Sequence, residues 1–194
     1  MSAPEDADPE NADPKDADRA PFLTTARLEL WRPVAGDVRG LNALTADPET
    51  RKFLGQSEQS LADSYERMLR QAGSWMLYGY GTVVMRKPGA PQIIGSCGIF
   101  HSWRGFGMGM DDVPEAGWVV DKDHWGQGLA GEAMRAVLAW FDAVHGRRRV
   151  VCMIDTGHAV SDRLARTLGF RDYDVRETDD DPPLVLYERF GARP

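Results

Sequence analysis

A glycine-rich run over residues 125–134 has residue types and a spacing that could bind an anion. Its glycines are Gly126, Gly128 and Gly131, and apolar residues then recur in three- and four-residue steps up to Val144. Glycine permits a tight turn with no Cβ in the way, so backbone N–H groups and the positive end of a helix dipole can point at one phosphate. The pattern predicts a phosphate- or pyrophosphate-binding loop at the start of an amphipathic helix.

The same glycines spell G-x-G-x-x-G, the dinucleotide-binding fingerprint, and Asp155 follows the next apolar strand where an acid could bind a ribose. Two features argue against that interpretation. Only 39 residues follow Asp155, which is too few for the rest of a doubly wound sheet. At least three strand-like segments precede the loop, whereas a dinucleotide-binding fold usually opens with it.

The run Trp125-Gly126-Gln127-Gly128-Leu129-Ala130 resembles the acyl-CoA loop of the GNAT superfamily of N-acetyltransferases, which has the form Q/R-x-x-G-x-G/A. The variant Trp-Gly-x-Gly-x-Ala followed by Glu-Ala resembles the Rim-type branch, which acetylates protein N-termini and similar amines. Two more segments stand where that branch has them, a strand over 115–120 and a helix from Ser161 to Leu168-Gly169-Phe170. The resemblance covers about residues 24–189.

The resemblance implies a mixed α/β fold. Its central sheet would be mostly antiparallel, with six to seven strands, one splayed parallel pair and about four flanking helices. Alternation and turn residues predict strands over 27–31, 80–86, 92–100, 115–120, 148–154 and 184–190. Caps and apolar stripes predict helices over 37–47, 60–73 and 161–168, and a further helix that follows the glycine loop and runs to Val144. Residues 101–112 are expected to form an irregular loop, in which Asp111 and Asp112 could attract a cationic substrate.

By the same resemblance, acetyl-CoA is the cosubstrate. Its pyrophosphate would bind the loop through the backbone amides of Gln127, Gly128, Leu129, Ala130 and Gly131. Its pantetheine and thioester carbonyl would pair with main-chain groups of Trp118, Val119 and Val120. An N–H fixed in place before the reaction stabilises the oxyanion of a tetrahedral intermediate. A plain core role for the strand is compatible with this, because backbone groups bind the ligand.

Glu115 and Ser161 are the candidate catalytic residues. An amine with a pKa near 10 must lose a proton to attack, and Glu115 matches a position where family members often carry an acid. It would be the base, directly or through water, and a solvated strand-end carboxylate is the alternative. Ser161 matches the Asn-x-x-Ser pattern of the Rim-type branch, as a CoA contact or as the acid for the leaving thiolate. A helix-capping serine is its alternative.

His158 stands in place of the Asn of that pattern. It could supply the same hydrogen bond to CoA or act as the acid, and a structural or solvated histidine is the alternative. Many superfamily members use a Tyr as the acid at the position that is Ala165 in this chain. Tyr173 is a further candidate acid.

The composition indicates one globular domain with an acidic tail. The chain has 194 residues, 42% hydrophobic and 27% charged, and a formal net charge of −7. Residues 1–20 hold seven acids and two bases, and no large apolar side chain lies between Met1 and Phe22. We therefore expect residues 1–21 to be disordered and residues 22–194 to form a single acyltransferase domain.

Composition also argues against several classes of protein. An acidic chain whose single basic run is Arg147–Arg149 is a poor candidate for binding nucleic acid. No apolar run reaches the roughly 20 residues that cross a bilayer, and no apolar signal core is present, so a cytoplasmic location is expected. Cys97 and Cys152 both lie in apolar strands, so we expect them to be buried free thiols in a reducing compartment. The scattered histidines have no zinc spacing, and no metal is expected.

The leading interpretation is an N-acetyltransferase that moves an acetyl group from acetyl-CoA to a primary amine by direct transfer in a ternary complex. The alternative is a catalytically weak acyl-CoA-binding module for sensing or interaction, favoured by the missing Tyr and the substituted Asn. A peptide N-terminus, an aminoglycoside, a polyamine and an amino acid all remain open as acceptors. A homodimer also remains open.

Overall fold

Eight strands form one sheet in the computed structural model, which describes residues 19–54, 59–178 and 182–191. The strands are β1 (Leu23–Thr24), β2 (Glu29–Trp31), β3 (Thr82–Arg86), β4 (Gly95–Trp103), β5 (Asp111–Val120), β6 (Arg149–Asp155), β7 (Arg171–Arg176) and β8 (Leu184–Phe190). The helices are α1 (Val38–Ala46), α2 (Pro48–Arg51), α3 (Leu61–Tyr78), α4 (Leu129–His145) and α5 (Ala159–Thr167). Most of the predicted tail, residues 1–18, lies outside the described residues.

The strand order is β1-β2-β3-β4-β5-β6-β8-β7, and every neighbouring pair is antiparallel except β5 and β6. This confirms the predicted mixed sheet with one parallel pair. β5 pairs with β4 from Val120 to Asp111, and β6 pairs with β8 from Arg149 to Asp155. Between β5 and β6, in contrast, the only aligned pair is Glu115 with Val151. The two strands therefore separate, as the splayed pair was predicted to do.

The apolar face of α4 builds the core against the sheet. Its fully buried side chains, spaced as the sequence predicts, are Ala133, Met134, Val137, Leu138 and Phe141. They pack in one cluster with buried residues of β4 and β6, including Cys97, Ile99 and Cys152. Both cysteines are free thiols, and burial raises the pKa of Cys97 to about 12. None of the helices in the described residues is long and apolar enough to cross a membrane.

Several element boundaries differ from the prediction. Helix α3 passes through Gly73 and ends at Tyr78, where Gly79 adopts a left-handed conformation and donates its N–H to the carbonyl of Trp75. β4 extends to Trp103 and β5 starts at Asp111, so the irregular loop is shorter than residues 101–112. The sequence analysis missed β7, since it is mostly polar and exposed and forms by pairing with β8. The short helix α2 and strand β1 were also missed.

Gly98 marks the place where β3 and β4 approach most closely. Its φ is +155°, and a Cβ built there would lie 2.5 Å from the Cα of Thr82 and 2.7 Å from the carbonyl oxygen of Gly81. We expect Gly98→Ala to lower the free energy of unfolding by about 2–3 kcal/mol, since backbone atoms would have to move. Gly73→Ala is the control, because open space surrounds a Cβ there. It should stabilise the protein by about 0.5–1 kcal/mol. Urea titrations of both variants measure this, and a neutral Gly98→Ala would contradict it.

Candidate active site

A cavity of about 660 Å³ opens where β5 and β6 separate. β5 contributes Glu115 through Val119 to its wall, and β6 contributes Cys152 through Asp155. The start of α5 closes one side with His158 and Ser161. One face of α3 closes another side with Ser64, Arg67, Met68, Arg70, Gln71 and Ser74. Five of the sequence-predicted site residues thereby line one opening, whereas Val120 and residues 127–131 are not part of its wall. The five are Glu115, Trp118, Val119, His158 and Ser161.

The predicted anion-binding loop lies at the end of β5 and leads into α4. Gly126 and Gly128 have φ values of +72° and +73°, which other residues adopt at a cost. α4 begins at Leu129 directly after Gly128, so no side chain caps its first turn. The first N–H groups of a helix have no intrahelical partner, which leaves them free to bind an anion. Trp125 fixes the loop to the strand by donating its indole N–H to the carbonyl of Val120, at 2.7 Å.

Glu132 would place a negative charge in the first turn of α4, but Arg27 and Thr25 bind it. The Arg27 side chain donates to Oε2 at 2.7 Å, and the Arg27 backbone N–H donates to Oε1 at 2.9 Å. The Thr25 hydroxyl donates to Oε1 at 2.7 Å. Burial alone would raise the pKa of Glu132, but the hydrogen bonds from Thr25 and Arg27 outweigh it and lower that pKa. Arg27 also donates to the carbonyl of Gln127 at 2.9 Å and so joins the loop to the chain before β2.

Trp118, Ser161 and His158 form a chain of hydrogen bonds inside the cavity. The Trp118 indole N–H can only donate, so the oxygen of Ser161, at 3.2 Å, accepts it. Burial lowers the pKa of His158, whose Nε2 lies 2.9 Å from that oxygen. A neutral His158 shares one hydrogen bond with the Ser161 hydroxyl, and the imidazole tautomer sets which of the two donates. Ser161 is the third residue of α5 and makes no capping contact, which differs from the helix-cap alternative.

Glu115 lies inside β5 rather than at its start, and its side chain is buried. This burial argues against the alternative of a solvated strand-end carboxylate. Arg104, from the loop after β4, binds it with both arms of the guanidinium: Nε at 2.8 Å from Oε2 and Nη2 at 2.5 Å from Oε1. Each carboxylate oxygen has two lone pairs, so one on each remains for a proton from a substrate. The sequence analysis missed Arg104.

The remaining candidates have other roles in the described structure. Asp111 accepts the backbone N–H groups of Gly105 and Gly107, and Asp112 lies 3.0 Å from Nε2 of His101. Both carboxylates therefore shape the loop between β4 and β5. Tyr173 donates to the carbonyl of Met108 and is not part of the cavity wall. Within the described residues, no group of three or more His, Cys, Asp or Glu is placed to hold a metal ion.

Residues 27–171 of this chain match the family model of the acetyltransferase (GNAT) domain. The chain belongs to the GNAT acetyltransferase family.

Individual relatives agree with that assignment. A protein from Bordetella pertussis described as a GNAT-family acetyltransferase is 35% identical, with a TM-score of 0.77 over 86% of this chain and 98% of its own. RimL, the ribosomal L7/L12 alpha-N-protein acetyltransferase, was solved in complex with coenzyme A. It shares the fold at 15% identity, with a TM-score of 0.69 over 87% and 97% of the two chains. The uncharacterised protein YkkB of Bacillus subtilis is 28% identical over 112 residues, 58% of this chain. The match spans 62% of the length of that curated relative.

The lowered pKa of His158 predicts a pH dependence of stability. As the pH falls below about 6.5, the unfolded chain binds a proton at this histidine before the folded chain does. Stability associated with His158 is therefore present above that pH and is lost on acidification. His158→Asn keeps a polar side chain beside Ser161 but cannot titrate. Its free energy of unfolding should fall less than that of the wild type between pH 7.5 and 5.5, as measured by urea titration. Parallel curves for the two proteins would rule out this contribution.

Proposed function

We propose that this protein is an acetyl-CoA-dependent N-acetyltransferase that transfers the acetyl group directly to a primary amine. The observation that carries the proposal is the separation of β5 and β6 beyond their single aligned pair. It leaves the main chain of Trp118, Val119 and Val120 without a β6 partner, beside the uncapped start of α4. One end of β5 thus offers backbone hydrogen bonds to an extended ligand, and the loop beyond it offers amides to a phosphate.

In this proposal the pyrophosphate of acetyl-CoA binds the amides of Gln127, Gly128, Leu129, Ala130 and Gly131. The loop suits an anion, because Arg27 and Thr25 bind the nearby carboxylate of Glu132. The pantetheine then pairs with Trp118 to Val120 in place of a neighbouring strand. The bound coenzyme A of RimL, a protein of the same fold, supports this role.

Glu115 is the proposed general base, acting directly or through a water molecule. It lies at the one place where β5 and β6 still pair, on the cavity wall. The N–C bond of the amide product forms as the thioester C–S bond breaks. One amine proton passes to the base, and one proton ends on the sulfur of CoA. Arg104, which binds the carboxylate of Glu115, must share it with the substrate during this transfer.

Ser161 and His158 are proposed as CoA contacts, with Ser161 as the candidate acid for the leaving thiolate. The Ser161 hydroxyl is hydrogen-bonded to His158 Nε2 in the present structure, so it must turn toward the sulfur to donate to it. Trp118 stays bonded to the serine oxygen and holds the hydroxyl at the cavity. A peptide N-terminus, as in the Rim-type branch, is one acceptor that this scheme accommodates.

A second candidate function is an acyl-CoA-binding module with weak catalysis. Two observations favour it: Arg104 binds both oxygens of Glu115, and the Ser161 hydroxyl is hydrogen-bonded to His158. Release of free thiol from acetyl-CoA with a panel of amines separates the two functions. An acetyltransferase turns over with at least one amine, whereas a sensing module binds acetyl-CoA and releases thiol at the background rate.

Gly128→Asp tests the loop. The substitution places a negative charge where the phosphates are proposed to bind, so we expect acetyl-CoA affinity to fall at least tenfold. Gly128→Ala is the matched control, since it introduces the same strained backbone without the charge and should lose much less. Calorimetric titration measures both variants. Equal affinity of Gly128→Asp and wild type would show that the phosphates bind elsewhere.

Glu115→Gln tests the base. Turnover at neutral pH should fall roughly 10²-fold, while acetyl-CoA affinity stays close to that of the wild type. The acidic limb of the pH–rate profile should vanish in this variant. Retention of both rate and limb in Glu115→Gln would exclude this residue as the base.

A further inference from the structure

The α3 wall of the cavity carries two arginines that lack an acidic partner. Arg67 and Arg70 both line the cavity, and no carboxylate of the described residues lies within ion-pair distance of either. Arg104 also lines the cavity and is already bound to Glu115. Helix α3 has two acids: Glu66 forms no ion pair with either arginine, and Asp63 accepts hydrogen bonds from the backbone and hydroxyl of Ser60 and so caps the helix.

The guanidinium groups are close enough to repel one another. Burial among protein atoms, then the charges of Arg70 and Arg104, lower the pKa of Arg67, and Asp63 only partly opposes this. Arg67 is at the same time exposed to solvent, because it faces the open interior of the cavity. An anion can therefore reach it from the cavity.

The cavity as a whole is positive although the chain is acidic. The charged residues on its wall are four arginines and two carboxylates: Arg67, Arg70, Arg104, Arg176, Glu115 and Asp155. The formal net charge of the chain is −7, so the excess of positive charge is local to this site. A cavity lined by one sign of charge attracts ligands of the opposite sign. Polycations such as polyamines and aminoglycosides are disfavoured here.

Gln71 adds a second kind of recognition on the same helix face. Its Oε1 is buried and has no hydrogen-bond partner, although Gln71 lines the cavity one turn after Arg67. A buried acceptor without a donor is costly, and an N–H group of a ligand would satisfy it. The wall thus presents donors for an anion next to an acceptor for an N–H.

We propose that the acceptor is a primary amine that also carries a carboxylate, which Arg67 and Arg70 bind while its N–H group reaches Gln71. This inference rests on the proposed acetyl transfer and specifies its substrate class. Guanidinium groups match a carboxylate through paired N–H donors, and such charge-assisted bonds are among the stronger hydrogen bonds. A free amino acid and a peptide that begins with an acidic residue share this chemistry.

Matched acceptors test the proposal by kinetics. The pairs are leucine with leucinamide, and amidated peptides that begin Asp-Ala or Asn-Ala. In at least one pair, kcat/KM of wild type should be at least tenfold higher for the acid. That ratio should fall about tenfold in Arg67→Gln/Arg70→Gln and stay constant in Arg39→Gln. Arg39 is an exposed arginine of α1 away from the cavity. The kcat/KM ratio of each pair is compared between the wild type and the variants. The two amines of a pair differ in basicity by the same amount in every protein, so this difference cancels. A ratio that changes for leucine and leucinamide identifies a free amino acid as the acceptor, and a ratio that changes for the two peptides identifies a peptide.

Binding of glutarate, a dicarboxylate without an amine, gives a readout that needs no catalysis. Fluorescence of Trp103 and Trp118, both on the cavity wall, reports it. Glutarate should bind wild type and Arg39→Gln alike and the double variant at least tenfold more weakly. If glutarate binds in this pattern but no amine releases thiol from acetyl-CoA, the proposed acetyl transfer is rejected and the carboxylate site is supported. If amines are acetylated but neither the acid ratio nor glutarate affinity depends on Arg67 and Arg70, the carboxylate site is overturned. Thermal melting of each variant shows that it is folded.

Discussion

The site depends on one constraint, which is that β5 and β6 are neighbours but cannot stay paired. Their single aligned pair is Glu115 with Val151, while β4 and β8 hold the outer edges of the two strands along their length. Buried backbone N–H and C=O groups need partners, so the diverging edges form a place for an extended polar ligand. Ser161 of α5 accepts a hydrogen bond from the indole of Trp118 and so keeps a polar group at the opening between the two strands.

Arginines set the charge at each end of this opening. At the phosphate end, Arg27 binds the carboxylate of Glu132, which would otherwise repel an anion from the first turn of α4. At the opposite end, Arg104 binds Glu115, and no carboxylate in the described part of the chain forms an ion pair with Arg67. One arginine thus neutralises a carboxylate beside the loop, and another binds the carboxylate of the proposed base. In the proposal, chemistry at Glu115 depends on how strongly Arg104 holds it.

Local patterns predicted the loop and α4, because glycine spacing, caps and apolar periodicity are encoded in neighbouring residues. The splayed strands were expected from the resemblance to the GNAT superfamily. The buried ion pair of Glu115 was not predictable in this way. It requires the loop after β4 to fold back, and that path depends on Asp111 binding the N–H groups of Gly105 and Gly107. Helix α3 passes through Gly73 because a helical glycine costs only about 1 kcal/mol. Trp75, two residues later, packs on Phe22 and ties this part of the helix to the chain before β1.

Amide hydrogen exchange by NMR, with and without acetyl-CoA, tests the central claim that the unpaired edge of β5 is where the ligand binds. On addition of acetyl-CoA, the amides of Trp118, Val119 and Val120 that face β6 should exchange at least tenfold more slowly. Amides of the same strand that already bond to β4 should change little. Unchanged exchange along this edge, with protection at another surface, would contradict the account.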